Sequence, residues 1–146
     1  MSLMVEEIEE GTVIDHIQAG KGLLVMKILE IDSNYKGKVA LVMNVKSQKL
    51  GKKDIVKIEG KHLTQKILDK IAIFSYNATI NLIKDYKVIE KRKVQLPEKL
   101  IDVSKCPNPN CITNKEKGIL TFFEKEDNER YFCHYCERIF NKEELI

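Results

Sequence analysis

The sequence predicts an α+β protein in two parts: an antiparallel sheet with two helices, followed by a small β domain closed by a metal ion. Three observations lead to this prediction. Strand-like and helix-like patterns alternate over residues 12–94, the pattern changes at Pro97, and all four cysteines lie after that proline. A chain of 146 residues is long enough for one domain or for two small ones. We therefore expect domains at residues 1–97 and 98–146.

The elements of the first domain are predicted in the order β-α-β-β-α-β-β. An apolar stripe over 22–30 predicts the first helix, and Thr64 is a candidate N-cap for the second, which runs to Phe74. Alternating or β-branched runs predict strands at 12–17, 38–45, 53–59, 78–84 and 86–94, the last two as a hairpin around Asp85. This order is typical of a split βαβ (ferredoxin-like) sheet with both helices on one face, which leaves the other face free for a ligand or another chain.

Composition and motifs exclude several classes of protein. With 43% hydrophobic and 32% charged residues, the chain resembles an ordinary globular protein. No apolar run approaches the roughly 20 residues of a membrane span, so no membrane partner is expected. The amino terminus has no signal-peptide pattern, which predicts a cytoplasmic location. The sequence contains no Gly-rich phosphate loop, no G-x-S-x-G and no H-E-x-x-H, and we expect it not to be an enzyme.

The cysteines follow the pattern C-x4-C-x21-C-x2-C and comprise Cys106, Cys111, Cys133 and Cys136. Two closely spaced pairs can supply four thiolates to one tetrahedral ion. The intervening residues include two strand-like runs around a charged turn, which fit a small β ribbon closed by the metal. We predict one structural zinc ion per chain. Four thiolates fill its coordination shell and leave no position for a catalytic water.

Other interpretations of the cysteines are open. They could form two disulfides or remain free thiols, although stable disulfides are disfavoured in a cytosolic chain. Iron in a rubredoxin-like site would make the protein an electron carrier, which is coloured as purified, whereas a zinc protein is colourless. His134, between Cys133 and Cys136, is a candidate competing ligand, although such a histidine is more often simply exposed.

The cysteine-bearing part also resembles a zinc-ribbon adaptor that binds nucleic acid. Residues 97–146 carry 8 Lys and Arg against 10 Asp and Glu, whereas residues 1–96 carry 17 against 12. A nucleic-acid binder concentrates basic residues on its binding face, and the ribbon's turn instead reads EKEDNE. We therefore expect no nucleic-acid partner, and we expect any anion to bind the first domain.

Four polar residues occupy strand-like runs of the first domain. Asp15 and His16 are neighbours, so their side chains should point to opposite faces. Periodicity favours a strand that ends there with both side chains in water, and strand lysines such as Lys57 and Lys91 are usually solvated. The alternative is that all four converge on a phosphorylated ligand, with ammonium groups at phosphate and a carboxylate at a ribose hydroxyl.

Several segments, taken in order, resemble the regulatory chain of aspartate carbamoyltransferase. They are GTVIDHI (11–17), GKKDIVKIE (51–59), ATINLIKDYKVIEK (78–91), LPEKLIDVSKCPNPNCI (96–112) and CHYCERIF (133–140). The resemblance covers about residues 5–145. It implies a non-catalytic chain of pyrimidine biosynthesis, with an amino-terminal allosteric domain that binds nucleotides and a carboxyl-terminal zinc domain. It also implies that homodimers of regulatory chains bridge two catalytic trimers, and that CTP and ATP act as effectors at one shared site.

The resemblance further implies roles for individual residues. Asp15 and Lys57 would lie at the ribose, and His16 and Lys91 would face the triphosphate. Asn81 and Tyr86 would line the site, and the backbone around Val5, Glu6 and Ile8 would contact the base. The residues expected to meet the catalytic chain are Asn108, Asn110 and Glu137, which flank the metal ligands.

Overall fold

The computed structural model describes residues 7–145, and its secondary structure follows the predicted order of elements. The seven elements before residue 94 are β1 (Glu10–Gln18), α1 (Gly22–Ile28), β2 (Val39–Ser47), β3 (Gly51–Glu59), α2 (Gln65–Phe74), β4 (Thr79–Lys84) and β5 (Lys87–Lys93). Those after it are β6 (Lys99–Ile101), α3 (Ile112–Lys115), β7 (Phe122–Lys125), β8 (Arg130–Cys133), β9 (Ile139–Asn141) and a 3-10 helix (Lys142–Leu145). No helix within residues 7–145 is long and apolar enough to cross a membrane.

The first five strands form one antiparallel sheet in the order β2-β3-β1-β4-β5. Strand β1 is central and pairs with β3 on one side and with β4 on the other. This is the arrangement of a split βαβ fold with β5 added at one edge. The β4–β5 hairpin turns through Asp85 and Tyr86, both with positive φ, as a tight two-residue hairpin turn requires. The predicted α+β class and antiparallel sheet are confirmed.

The chain divides into two compact units. The sheet unit contains the residues up to Thr64 together with Asn77–Val94, and the cysteine unit contains Gln65–Tyr76 together with the residues from Gln95 onward. Helix α2 thus groups with the cysteine unit, whereas the sequence pattern assigned it to the first domain. The reason is visible in its buried side: Ile73 belongs to the core cluster of the cysteine unit, and α2 contacts the 3-10 helix.

The cysteine unit contains a second antiparallel sheet, in the order β6-β7-β8-β9. The predicted ribbon corresponds to β7 and β8, and the structure adds one strand on each side of it. The core combines aromatic and aliphatic side chains with the cysteines, and Phe123 and Tyr131 are fully buried. The Tyr131 hydroxyl donates a hydrogen bond of 2.7 Å to the carbonyl oxygen of Pro97, so the one polar atom of this ring is satisfied.

The two faces of the first sheet differ in character. The buried face carries residues that alternate along the central strands, among them Ile14, Val56 and Ile58, all fully buried. Helix α1 lies against β2 and β3 on this face, where a side chain at Gly22 would collide with Leu41 and Asp54. The opposite, open face therefore carries the residues that lie between these buried ones in each strand.

A buried carboxylate connects three segments of the sheet unit. Asp54 in β3 is fully buried, and its Oδ2 accepts hydrogen bonds from the backbone N–H of Gly20 (3.1 Å) and Gly22 (2.9 Å). Its Oδ1 accepts another from the N–H of Asn44 (2.9 Å), within the register shift of β2. Asp54 thus fixes the end of β1, the start of α1 and the irregularity of β2 at one point.

We expect Asp54→Asn to destabilise the sheet unit by about 1–3 kcal/mol, because an amide offers one acceptor oxygen to donors that now share two. Denaturant unfolding followed by a probe in the sheet unit measures this change. The matched control is Asp32→Asn, which alters an exposed carboxylate that accepts one local N–H from Asn34. Equal stability of the two variants would contradict this role for Asp54.

Candidate ligand face and metal centre

One row of side chains crosses the open face of the first sheet. In the strand register, Lys57 of β3 pairs with Val13 of β1, Val13 pairs with Asn81 of β4, and Asn81 pairs with Lys91 of β5. Directly paired residues point to the same face, so these side chains form a single row. Lys57 and Lys91 are separated by three strand spacings, about 14 Å at the backbone. The structure therefore brings the four predicted residues Asp15, Lys57, Asn81 and Lys91 to one face.

Asp15 and His16 lie on the same side of the sheet, so the prediction of opposite faces is wrong. Strand β1 has a register shift between Ile14 and Ile17, and His16 has a positive φ of 56°. This bulge interrupts the alternation of side chains. Thr79, the register partner of Asp15, has its hydroxyl 3.1 Å from Nδ1 of His16. The strand continues to Gln18, and the two side chains are only 26% and 18% exposed, so they are not simply in water.

Lys53 is a member of this group that the sequence analysis missed. Its Nζ lies 2.9 Å from Oδ1 of Asp15, and its side chain is 17% exposed. The signal was present in the sequence: Lys53 and Lys57 are four residues apart in one strand, which places both on the same face. Lys53 thus holds the carboxylate of Asp15 at the edge of the ligand face.

Burial and the neighbouring charges shift the pKa values of both Asp15 and His16. Burial alone would raise the pKa of Asp15, but the hydrogen bonds from Lys53 and from the backbone N–H of His16 outweigh it and lower that pKa. Burial lowers the pKa of His16, and the charges of Lys53, Lys49 and Lys91 lower it further against the opposing charge of Asp15. The cluster thus holds an ionised carboxylate and a neutral imidazole beside several ammonium groups.

Asn81 lies within the row of side chains, whereas the other predicted residues of this face lie at the end of the sheet where the chain enters β1. Asn81 is buried, and its Nδ2 donates to the carbonyl oxygen of Val13 at 3.3 Å. Tyr86 is exposed at the tip of the β4–β5 hairpin, and its N–H donates to the carbonyl oxygen of Glu9, so this tip lies beside the chain that enters β1. The side chain of Ile8 is buried. Val5 and Glu6 lie outside the described residues.

The four cysteines form a cluster of the size that a tetrahedral metal site requires. Their sulfur atoms all lie within 4.8 Å of one another. The Sγ atom of Cys106 lies 3.9 Å from the Sγ of Cys133 and 3.8 Å from the Sγ of Cys136. The Sγ atoms of Cys111 and Cys133 are 3.8 Å apart. Four sulfur ligands at about 2.3 Å from one ion would be about 3.8 Å apart. The cysteines are free thiols, and these separations exclude disulfides.

Local hydrogen bonds build the two turns that present the thiols. In the first turn, the side-chain amide of Asn114 donates to the carbonyl oxygens of Cys106 (2.9 Å) and Asn108 (2.7 Å). In the second, the N–H of Glu137 donates to the carbonyl oxygen of Cys133, and Glu137 adopts a positive φ of 61°. Hydrogen bonds within the protein thus position both cysteine pairs without any contribution from a metal ion.

The four cysteines can all be deprotonated at the same time only beside a bound cation. Burial raises the pKa values of Cys106 and Cys133. Burial would also raise the pKa of Cys136, but hydrogen bonds from the backbone N–H of Arg138 and the side chain of Asn108 lower it to about 7. Four adjacent thiolates repel one another, so a divalent ion bound by these cysteines would supply the charge that stabilises all four.

The polar residues beside the cluster fall into two groups. Asn108 is buried, and its Oδ1 accepts the N–H of Asn110, so it supports the first turn. Asn110 and Glu137 are exposed and available to another molecule. His134 stacks on Phe122 with ring centroids 5.0 Å apart and lies outside the group of described residues that could hold a metal.

Comparison with known proteins agrees with both units. A family model described as the aspartate carbamoyltransferase regulatory chain, allosteric domain, matches residues 3–95, and a second, described as the metal binding domain of that chain, matches residues 98–146. The regulatory chain of Pyrococcus horikoshii is 51% identical over 146 residues, covering 99% of this chain and 96% of the relative. That of Archaeoglobus fulgidus is 52% identical over 140 residues, covering 93% and 92%.

These matches extend over nearly the whole chain, and every relative compared is a regulatory chain, which is the non-catalytic subunit. The expectation that this protein is not itself an enzyme is thereby confirmed. The cysteine cluster lies in the region matched by the metal-binding family model. The chain belongs to the family of aspartate carbamoyltransferase regulatory chains.

Proposed function

We propose that the open face of the first sheet binds CTP and ATP as competing allosteric effectors of the catalytic chain. The observation that carries this proposal is the convergence of Asp15, His16, Lys53, Lys57 and Lys91 on one half-buried face. A nucleoside triphosphate offers complementary chemistry: a concentrated anion for the ammonium groups and ribose hydroxyls for a carboxylate. The family model that matches this region is described as an allosteric domain, which supports the same assignment.

The distribution of groups over the face favours one orientation of the nucleotide. His16 and Lys91 influence each other electrostatically and would receive the triphosphate. Lys57 lies at the other end of the row and, with Asp15, would receive the ribose. The backbone beside Ile8 and the ring of Tyr86 lie near the chain entering β1 and would meet the base, together with Val5 and Glu6. Both effectors would use the same lysines for the triphosphate and the same carboxylate for the ribose, so they should compete.

We propose that the ion of the cysteine cluster is zinc and that it is structural. Zinc prefers four thiolates in a tetrahedral arrangement, and the sulfur spacing fits this geometry. Cys106, Cys111, Cys133 and Cys136 would fill its coordination shell. Iron would accept the same ligands but would colour the purified protein. Four free thiols committed to a metal also suit a cytoplasmic location, where disulfides are rare.

We propose that the turns around the metal dock the chain onto the catalytic chain, through Asn110 and Glu137, with Asn108 supporting the first turn. Dimers of regulatory chains would then bridge two catalytic trimers. Family membership supports the partner, because a regulatory chain acts on a catalytic chain. The domain boundary near residue 97 would separate nucleotide sensing from docking, in agreement with the ranges of the two family models.

We expect Lys91→Ala to weaken CTP and ATP binding by about 1–3 kcal/mol, because a triphosphate loses one of its few cationic contacts. Calorimetric titration of each nucleotide alone, and of one against a saturating amount of the other, measures affinity and competition. The control is Arg92→Ala, which removes the same charge from the neighbouring position of β5, on the opposite face. Equal affinities of both variants, or independent binding of the two nucleotides, would refute the proposed site.

We expect triphosphate affinity to rise as the pH falls from about 8 to about 6. Burial and the nearby lysines lower the pKa of His16 in the free chain, and a bound phosphate would raise it by stabilising the imidazolium. The complex would therefore hold more protons than the free chain, which favours binding at low pH by linkage. His16→Asn keeps a residue that tolerates positive φ and lacks the titration. An identical pH dependence in this variant would exclude contact between His16 and the phosphates.

We expect Cys111→Ser to abolish assembly with the catalytic trimer and to spare nucleotide binding. A damaged metal site leaves the cysteine unit with too little core to fold, whereas the sheet unit contains no cysteine and has a core of its own. Gel filtration with catalytic trimer, metal analysis and a CTP titration on one preparation measure these outcomes. Thr113→Val is the control, since it removes a donor to Cys111 Sγ but keeps all four thiols. Assembly by Cys111→Ser would show that the metal does not organise docking.

A further inference from the structure

The cysteine unit contains a cavity that is separate from the metal cluster. Its volume is about 640 Å³, within the usual range for small-ligand sites, and none of the four cysteines lines it. Its walls come from the segment after β6, from α3 and from the loop that follows α3, closed on one side by Lys66 of α2. Two lining residues also support the metal site, since Asn114 holds the first cysteine turn and Thr113 donates to Cys111 Sγ, whereas the nucleotide face uses none of the lining.

The lining carries an excess of positive charge. It includes Lys66, Lys105, Lys115 and Lys117 against the acids Asp102 and Glu116. Lys66 pairs with Asp102 at 3.1 Å, whereas the other three lysines form no ion pair with residues 7–145. This excess is local, because residues 97–146 as a whole are acidic. Cations gathered around a concave surface raise the local concentration of anions.

A buried hydroxyl in the cavity wall lacks a partner. Ser104 Oγ is the one buried side-chain nitrogen or oxygen in the described chain without a hydrogen bond. The backbone carbonyl of the same residue accepts the Thr121 hydroxyl at 2.6 Å, so the surrounding turn is otherwise satisfied. Leaving a buried hydroxyl unpaired costs free energy unless a water, an ion or a ligand completes it.

From this combination we infer that the cavity is a second anion site, which takes inorganic phosphate or a small phosphomonoester. A phosphate group carries two charges and several strong acceptor oxygens, so it can accept from the unpaired ammonium groups together, and rotation of the Ser104 side chain toward the cavity would let its buried hydroxyl join them. A long polyanion such as nucleic acid is disfavoured because the region around the site is acidic. The site is independent of the proposed nucleotide face, and its test does not depend on that proposal.

Amide NMR of the full metal-loaded chain, titrated with inorganic phosphate and separately with ribose 5-phosphate, tests the proposal. We expect saturable shifts at Ser104, Lys105, Lys117 and Thr121. Tighter binding of one probe identifies whether free phosphate or an ester is the preferred ligand, and saturable binding of either supports the site. Shifts that grow linearly and spread over lysines of both units would mean nonspecific screening and would overturn it.

Two variants separate binding from folding. Lys117→Ala removes an exposed, unpaired cation and should weaken phosphate binding at least fivefold, whereas Lys99→Ala, an exposed lysine of the same unit outside the cavity, should not. Ser104→Ala should also weaken binding while leaving the free energy of unfolding unchanged or slightly higher, because it deletes an unsatisfied hydroxyl. Loss of phosphate binding in Lys91→Ala, with full binding in Lys117→Ala, would place the anion on the nucleotide face and refute the second site.

Discussion

The buried carboxylate of Asp54 is the interaction on which the sheet unit depends. Its two oxygens accept three backbone N–H groups from segments that are distant in sequence, at a position with no contact with water. A buried carboxylate is tolerated only when hydrogen-bond donors surround it. The three segments that supply these donors are therefore held in fixed positions relative to one another. Because Lys53 precedes Asp54 in the chain, the same anchor directs the lysine toward Asp15 on the opposite face. The geometry of the ligand face is therefore set from within the core.

The cysteine unit solves a comparable problem by different means. Its core is small, and it includes three of the four thiols, with Cys136 packed against it. Hydrogen bonds from Asn114 and from the N–H of Glu137 shape the turns, and a bound metal ion would supply the charge that stabilises four adjacent thiolates. The residues proposed for docking lie on those turns, so their order would depend on the metal. The cavity formed by the segment after β6, by α3 and by the loop after α3 is lined by lysines and a serine, and this chemistry differs from that of the cysteine cluster.

The three proposed surfaces would separate three kinds of recognition by their chemistry. The sheet face combines one carboxylate, one imidazole and several lysines, which suits a ligand with both hydroxyl and phosphate groups. The exposed amide and carboxylate beside the cysteines suit a protein surface. The cavity beside α3 offers cations and hydroxyls but lacks the carboxylate–imidazole pair of the sheet face. An effector alters activity only by its different affinity for two states of the assembly, and that difference resides in contacts that these surfaces make with other molecules.

The sequence by itself determined the order of elements, the four-thiol cluster and the α+β class, because these depend on periodicity, turn chemistry and spacing along the chain. It also singled out Asp15, His16, Lys57 and Lys91 as polar residues in strand-like runs, and family resemblance then favoured a nucleotide as their ligand over simple solvation. Tertiary structure decided three further features. The bulge in β1 put Asp15 and His16 on one side, Lys53 joined them across strands, and α2 grouped with the cysteine unit through Ile73. Each of these depends on strand register or on packing between distant segments, and period-2 or period-3.6 patterns carry no information about either.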